Sequence, residues 1–232
     1  MKLTVNDIAR MIDVSAVRAQ HGEADIRNLV RRAQEHHFLA VHVLPCWVSF
    51  LRQLLGGSTG ILIGAPVGFP SGAHRTEIKL AEAELLLADG VQEMDLMLNV
   101  GKLRSGENQY VEDEIRAVVA AAGGVPVKVI LEVCYLTRDQ IKTACQLCIR
   151  AGAAYVKTSS GWGPAGATLD VVEWITSLTG DAIRVKAAGG IRDLDILVKM
   201  YRMGVSRFGI NLEASLQILR EVAALPGGVV EV

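Results

Sequence analysis

Lys157 is the residue whose type and surroundings most strongly indicate chemistry. It ends the apolar run 153–157 and is followed by the polar residues 158–161, a pattern that predicts a buried strand leading into a loop. Burial makes an ammonium group costly and lowers its pKa, and the resulting neutral amine is a nucleophile. Lys157 is therefore a candidate for covalent chemistry on a carbonyl compound.

A second lysine, Lys186, occupies the equivalent position of a later run, residues 184–190. Two neighbouring cations lower each other's pKa, which is one way to activate a lysine for Schiff-base formation. The alternative is that both lysines neutralise buried carboxylates or extend to solvent. The repetition at two equivalent strand ends favours catalysis.

Asp95 is a carboxylate flanked by large apolar residues, and strand alternation puts it on one face with Glu93 and Asn99. It could act as a general acid and base, form a salt bridge to one of the lysines, or do both. Lys128 and Glu132 also share a face of their strand. They are expected to form an interior ion pair or a relay, with structural support favoured for Lys128.

Eight apolar runs alternate with amphipathic segments and begin 21 to 33 residues apart, enough for one strand, one loop and one helix each. This alternation predicts an α/β fold, a single (β/α)8 TIM barrel in one domain over residues 1–232. The first run, near Ile12, is the weakest, and a doubly wound open sheet is the alternative if it fails. The runs begin near Ile12, Ala40, Ile61, Met94, Val127, Ala154, Ile183 and Arg207.

A closed barrel brings the C-terminal ends of its strands to one mouth, where active sites of this fold lie. Polar residues from distant parts of the chain are expected to meet there. They are Asp13, Ser15, His42, Asp95, Asn99, Lys128, Glu132, Lys157, Lys186 and Asn211.

Gly189 and Gly190 follow the seventh predicted strand and precede a helix, together with Arg192. Glycine amides at a helix start can approach a phosphate closely, and barrels favour phosphate sites after strands seven and eight. Gly161 and Gly209 are further candidates. The alternative is a tight strand-to-helix turn.

The bulk composition excludes several classes of function. A net charge of −1 without a basic stripe argues against nucleic acid as a partner, and no apolar stretch is long enough to predict a membrane span. The first residues lack the apolar core of a signal peptide, so a cytoplasmic location is expected. The five histidines show no metal-ligand spacing, which favours amine chemistry over metal chemistry.

Five tracts together resemble the deoxyribose-phosphate aldolase family of class I (Schiff-base) aldolases, and the likeness runs from about residue 8 to residue 220. The tracts are residues 64–77, 93–101, 128–132, 156–161 and 186–192. The resemblance implies that Lys157 forms the imine, Lys186 lowers its pKa and Asp95 carries protons. Lys128, Asp13, Ser15 and Glu132 would support them.

The resemblance further implies reversible cleavage of 2-deoxy-D-ribose 5-phosphate to glyceraldehyde 3-phosphate and acetaldehyde, without a cofactor or metal. The phosphate would be held by Gly161, Gly189, Gly190, Arg192, Gly209 and Asn211. Such barrels often pair through outer helices, so a homodimer is expected.

The chain departs from the family pattern around the substrate pocket. It has Asp13-Val14-Ser15 for Asp-His-Thr, His42 for a cysteine, Asn211-Leu212 for a serine pair, and the large ring of Trp162 after Gly161. It also ends without the tail tyrosine of some members. Two alternatives therefore stay open: a Schiff-base lyase or dehydratase acting on another, unphosphorylated substrate, and a non-catalytic sugar-phosphate-binding barrel.

Overall fold

Eight parallel strands close into a barrel in the computed structural model, which describes residues 1–57 and 60–232. Each strand pairs with the next along the chain, and the first pairs with the last through Asp13 and Gly209. The predicted TIM barrel is confirmed, including its weakly indicated first strand. The strands are β2 (Ile12–Ala16), β3 (Ala40–Val43), β4 (Leu62–Val67), β5 (Glu93–Met97), β6 (Val127–Ile130), β7 (Tyr155–Lys157), β8 (Arg184–Ala188) and β9 (Val205–Ile210).

Helices connect the strands and cover the outside of the barrel. Thr137 and Gln140 form a reciprocal capping box at the start of the helix after β6, which satisfies two backbone N–H groups. None of the helices in the described ranges has the length and hydropathy of a bilayer-spanning segment. The connecting helices are α2 (Glu23–His36), α3 (Val48–Leu55), α4 (Thr76–Asp89), α5 (Val100–Arg104), α6 (Asn108–Ala121), α7 (Arg138–Arg150), α8 (Leu169–Thr179), α9 (Leu194–Arg202) and α10 (Leu212–Ala224).

A small sheet outside the barrel joins the two ends of the chain. β1 (Lys2–Thr4) pairs antiparallel with β10 (Val229–Glu231), and the short helix α1 (Val5–Ala9) follows β1. The sequence analysis did not predict these elements, because three-residue strands are too short to show periodicity.

The barrel interior below its mouth is charged rather than apolar. The Arg207 guanidinium donates to Asp13 and Glu93, and the Lys128 ammonium lies 2.9 Å from Oε1 of Glu93. Each of these side chains is less than a tenth exposed. Buried charges are tolerated only when paired, so these residues fix one another and form a rigid support beneath the mouth.

A second buried ion pair ties α4 to α6 and to the end of β5. Lys79 Nζ lies 2.6 Å from Oε1 of Glu114 and donates to the carbonyl of Met97 at 2.9 Å. The Lys79 side chain is 0% exposed. A Cβ on Gly68 would come within 2.7 Å of Lys79 Cε, so the lysine needs a glycine beside it.

Replacing Lys79 with methionine should lower the unfolding free energy by about 3–5 kcal/mol, because the buried Glu114 carboxylate would keep only its hydrogen bond from Thr76 and lose its cationic partner. Urea unfolding at unchanged slope measures this difference. The matched control is Lys199→Met, which removes an exposed pair with Asp195 and should change stability far less. Equal effects of the two substitutions would contradict a stabilising role for the Lys79 pair.

Candidate active site

A cavity of about 380 Å³ opens at the C-terminal ends of the barrel strands. The predicted catalytic and phosphate-site residues line it, and Lys128 and Glu132 do not. Seven of the ten residues expected at the mouth therefore converge on this cavity, and Asn99, Lys128 and Glu132 do not. The predicted residues in the lining are Asp13, Ser15, His42, Asp95, Lys157, Gly161, Lys186, Gly189, Gly190, Arg192, Gly209 and Asn211.

Two lysines share one carboxylate oxygen at the centre of the cavity. Lys157 and Lys186 are paired across β7 and β8, and their Nζ atoms lie 2.7 Å and 3.0 Å from Oδ2 of Asp95. Lys186 Nζ also lies 2.6 Å from Oδ2 of Asp13. The Lys157 side chain is 11% exposed and that of Lys186 only 1%, so Lys157 is the amine that a substrate can reach.

The surroundings give the two lysines opposite protonation tendencies. Burial and the neighbouring Lys186 ammonium lower the pKa of Lys157, although Asp95 opposes them. Burial also disfavours charge on Lys186, but Asp13, Asp95 and Glu93 outweigh it and raise the Lys186 pKa above its ordinary value. Lys157 is thus the amine that loses its proton more easily, while Lys186 stays an ammonium.

Asp95 remains a carboxylate. Burial favours its protonated form, but the charges of Lys157 and Lys186 dominate and hold the Asp95 pKa well below its usual range. Lys128 supports the site from below, since its Nζ lies 3.4 Å from Oδ1 of Asp95 and its register places it two residues before Lys157.

The expected ion pair between Lys128 and Glu132 is wrong. β6 ends at Ile130, and Glu132 adopts a left-handed conformation with φ 54°, which breaks the alternation that would have placed both on one face. Glu132 instead accepts hydrogen bonds from the backbone N–H and hydroxyl of Ser160. It therefore anchors the loop after β7, next to Gly161.

Asn99 also lies away from the cavity, contrary to its predicted place at the mouth. Its side chain caps α5 by accepting a hydrogen bond from the Lys102 N–H at 3.2 Å. The residue follows the end of β5 at Met97, so strand alternation no longer determines its direction. Asn211 likewise caps α10 through the Ala214 N–H, but it remains part of the cavity wall.

The opposite side of the cavity is built from glycines whose backbone has positive φ angles. Gly161, Gly189 and Gly190 all have φ between 82° and 85°, a region that favours glycine. Gly209 serves packing as well, because a Cβ there would stand 3.3 Å from Cε of Lys186. Together with the exposed Arg192, these glycines line one wall of the cavity.

The sequence analysis missed Arg18 at the rim of the cavity. Its guanidinium donates to the Gly161 carbonyl at 2.6 Å and lies 5.5 Å from the centre of the Trp162 ring. The Trp162 indole N–H donates to Val17, and its ring meets Phe69 edge-on. Trp162 could be singled out in the sequence because its ring is large for its place in the family pattern. Arg18 could not, because a single arginine in a loop shows no characteristic spacing.

Three potential metal ligands lie close together, two of them in the cavity lining, although histidine spacing suggested none. Atoms of Asp13, His42 and Glu93 lie within 4.8 Å of one another. The set comes from three separate strands, so spacing along the chain could not reveal it. Lys186, Arg207 and Lys128 already neutralise the two carboxylates, so a divalent ion would have to displace these cations.

The comparisons with known proteins agree with this geometry. Residues 10–209 match the sequence profile of the DeoC/LacD family aldolases. The chain is 49% identical to the deoxyribose-phosphate aldolase of Sinorhizobium medicae over 97% of this chain and 91% of that relative. It is 44% identical to the Klebsiella pneumoniae enzyme of the same name, over 97% and 92% of the two chains. The solved structure of deoxyribose phosphate aldolase from Aeropyrum pernix, described as a tetramer, superposes with a TM-score of 0.87 at 29% identity, covering 96% and 94%.

Proposed function

Because the chain belongs to the DeoC/LacD family of aldolases, a family of carbon–carbon lyases, we propose that it cleaves 2-deoxy-D-ribose 5-phosphate through a Schiff base on Lys157. The products are acetaldehyde and glyceraldehyde 3-phosphate, and the reverse addition uses the same groups. The observation that carries this proposal is the cavity-facing Lys157 amine beside the Lys186 ammonium and the Asp95 carboxylate.

The reaction begins with the neutral Lys157 amine, which adds to the aldehyde carbon of the open-chain sugar. Asp95 lies within hydrogen-bond distance of that amine and transfers the protons needed to expel water, leaving an iminium ion. The bond between C2 and C3 then breaks, its electron pair forms the enamine, and C3 becomes the aldehyde of the triose phosphate. Protonation at C2 and hydrolysis release acetaldehyde.

Lys186 acts on this sequence through charge. Its ammonium disfavours a proton on Lys157 and keeps Asp95 ionised between proton transfers. Asp13, which is itself paired with Arg207, holds Lys186 in place from below, and Lys128 lies near the other oxygen of Asp95. The chemistry balances with the protein's own side chains and water, so no cofactor is proposed.

The phosphate end of the substrate is proposed to bind at Gly161, Gly189, Gly190 and Arg192. Two observations support this proposal: the left-handed backbone of the three glycines, and the Arg192 guanidinium in the cavity wall. Asn211 and Gly209 complete this wall, and Ser15 lies on the same cavity.

Phosphate recognition gives the assay that tests the substrate. The protein should release acetaldehyde from deoxyribose 5-phosphate with a kcat/KM at least about tenfold above that for deoxyribose, since hydrogen bonds to a charged group are worth about 1.5–3 kcal/mol each. Arg192→Leu should reduce this preference, whereas Arg220→Leu, on the exposed face of α10, should not. Equal turnover of the two sugars would contradict a phosphate site.

For assembly we propose a homodimer in the cytoplasm. Ile78 and Leu85 lie seven residues apart on α4 and are 57% and 68% exposed, which supports an outer-helix contact. The four cysteines are all free, in keeping with a reducing compartment. Light scattering of the protein and of a Leu85→Asp variant tests the dimer, which should dissociate in the variant.

A further inference from the structure

His42 places an imidazole ring in the cavity, and the mechanism described so far does not use this ring. It lies on β3, is 3% exposed and lines the same cavity as Lys157 and Asp95. Nδ1 has no hydrogen-bond partner among the described residues, whereas Nε2 faces Oδ1 of Asp95 and Oε1 of Glu93, each at 3.5 Å. A buried polar atom without a partner is costly, so it points to a polar group that arrives with the substrate.

The neighbouring strand is shaped to accept this ring. Gly64 is the direct partner of His42 in the register of β3 and β4. A Cβ on Gly64 would stand 2.2 Å from Nε2 of His42, far inside contact distance. Because a Cβ is fixed to the backbone and the His42 ring is buried, the ring would have to move. The position of the imidazole thus depends on the absence of a side chain at residue 64.

Cleavage needs a base that Asp95 is poorly suited to be. The hydroxyl on C3 must lose its proton as the bond between C2 and C3 breaks. Asp95 has both lysine ammonium groups on Oδ2, and they hold its pKa well below the usual range, which makes it a weak base. Burial and the Lys186 charge keep the pKa of His42 below its ordinary value, so its imidazole is neutral near pH 7 and has a free lone pair.

The charges around His42 come from several strands. Asp13 and Asp95 favour the protonated ring, while Lys186 disfavours it. Glu93 faces Nε2 but is itself neutralised by Lys128 and Arg207. Charges of both signs therefore surround the ring.

We propose that His42 is the catalytic residue that accepts the proton of the C3 hydroxyl during cleavage and returns it during addition. This role rests on the proposed aldolase function. As the proton moves to the imidazole, C3 forms its carbonyl bond, and the electron pair of the C2–C3 bond passes into the enamine on Lys157. The imidazolium then gives up its proton through water, and C2 of the enamine takes up a proton before the imine is hydrolysed. The net change is the transfer of one proton from oxygen to carbon.

Two reactions of the same enzyme separate this role from the imine chemistry. Cleavage of deoxyribose 5-phosphate needs every step, whereas exchange of the methyl hydrogens of acetaldehyde for deuterium needs only the imine and the enamine. His42→Gln should lower kcat for cleavage by about a hundredfold or more, a typical contribution of general-base catalysis, and leave deuterium exchange unchanged. The exposed His74→Gln variant should change neither rate.

Gly64→Ala provides a second variant, because it displaces the ring while keeping the histidine. It should produce the same separation of the two rates. Equal losses of cleavage and exchange in both variants would overturn the proposal, as would full cleavage activity in His42→Gln. Absence of exchange in the unaltered protein would refute the imine itself, and a wild type that exchanges but variants that do not would assign His42 to the earlier steps instead.

Discussion

Lys157→Ala is expected to abolish cleavage of deoxyribose 5-phosphate, lowering kcat by about five orders of magnitude or more, as loss of a covalent nucleophile does elsewhere. Without the ε-amino group of Lys157 no iminium forms at that position to accept the electrons of the C2–C3 bond, and the other cavity lysine, Lys186, is held as an ammonium by Asp13 and Asp95. Release of acetaldehyde under saturating substrate measures the effect.

The matched control is Lys199→Ala, on the exposed face of α9, where the lysine pairs with Asp195. This variant should turn over as the unaltered protein does. Lys157 also lies against Asp95, so the folded state of the Lys157→Ala variant is checked by its urea unfolding curve. Wild-type-like cleavage by folded Lys157→Ala would contradict the assignment.

Lys186→Met should move the pH–rate profile to higher pH. Lys186 is one of the charges that lower the pKa of Lys157, and its loss also leaves Asp95 to attract the Lys157 ammonium alone. Both effects raise the pKa of Lys157, so the neutral amine appears only at higher pH. At a pH below that pKa, each unit by which the Lys157 pKa rises lowers the fraction of neutral amine about tenfold.

The profile of kcat/KM against pH measures this shift, since it reports the groups of the free enzyme. Asp13 keeps Arg207 as a partner in the variant, so the carboxylate is not left unpaired. Restoring activity by raising the pH would distinguish an electrostatic role from a structural one. An unmoved midpoint with a uniformly lower rate would remove Lys186 from that role.

The sequence predicts the barrel because each β/α unit carries its own periodicity. The run near Ile12 has the weakest strand pattern. It forms β2 because hydrogen-bonded pairing with β3 and β9 stabilises the strand. The sheet formed by β1 and β10 could not be predicted, since it depends on contact between residues more than 200 positions apart, such as Leu3 and Val230.

The convergence at the barrel mouth was predictable for the same reason. Parallel strands of known direction place Asp95, Lys157 and Lys186 at one end, whatever the loops do. Prediction failed where a residue lies beyond the end of its strand. Glu132 and Asn99 follow β6 and β5, and a left-handed residue or a helix cap decides their direction instead of alternation.

Other features of the site depend on register between strands, which a single sequence does not specify. The space that Gly64 leaves for His42 requires that β3 and β4 pair as they do. The buried pair of Lys79 with Glu114 and the contact of Arg18 with Gly161 join residues from different β/α units. No spacing along the chain indicates such pairs.

Borohydride reduction in the presence of acetaldehyde tests the central assignment most directly, because it converts the imine into a stable secondary amine. One ethyl group is expected on the peptide that contains Lys157, and none on Lys186. Complete absence of an adduct, or an ethyl group on Lys186 in place of Lys157, would contradict the assignment.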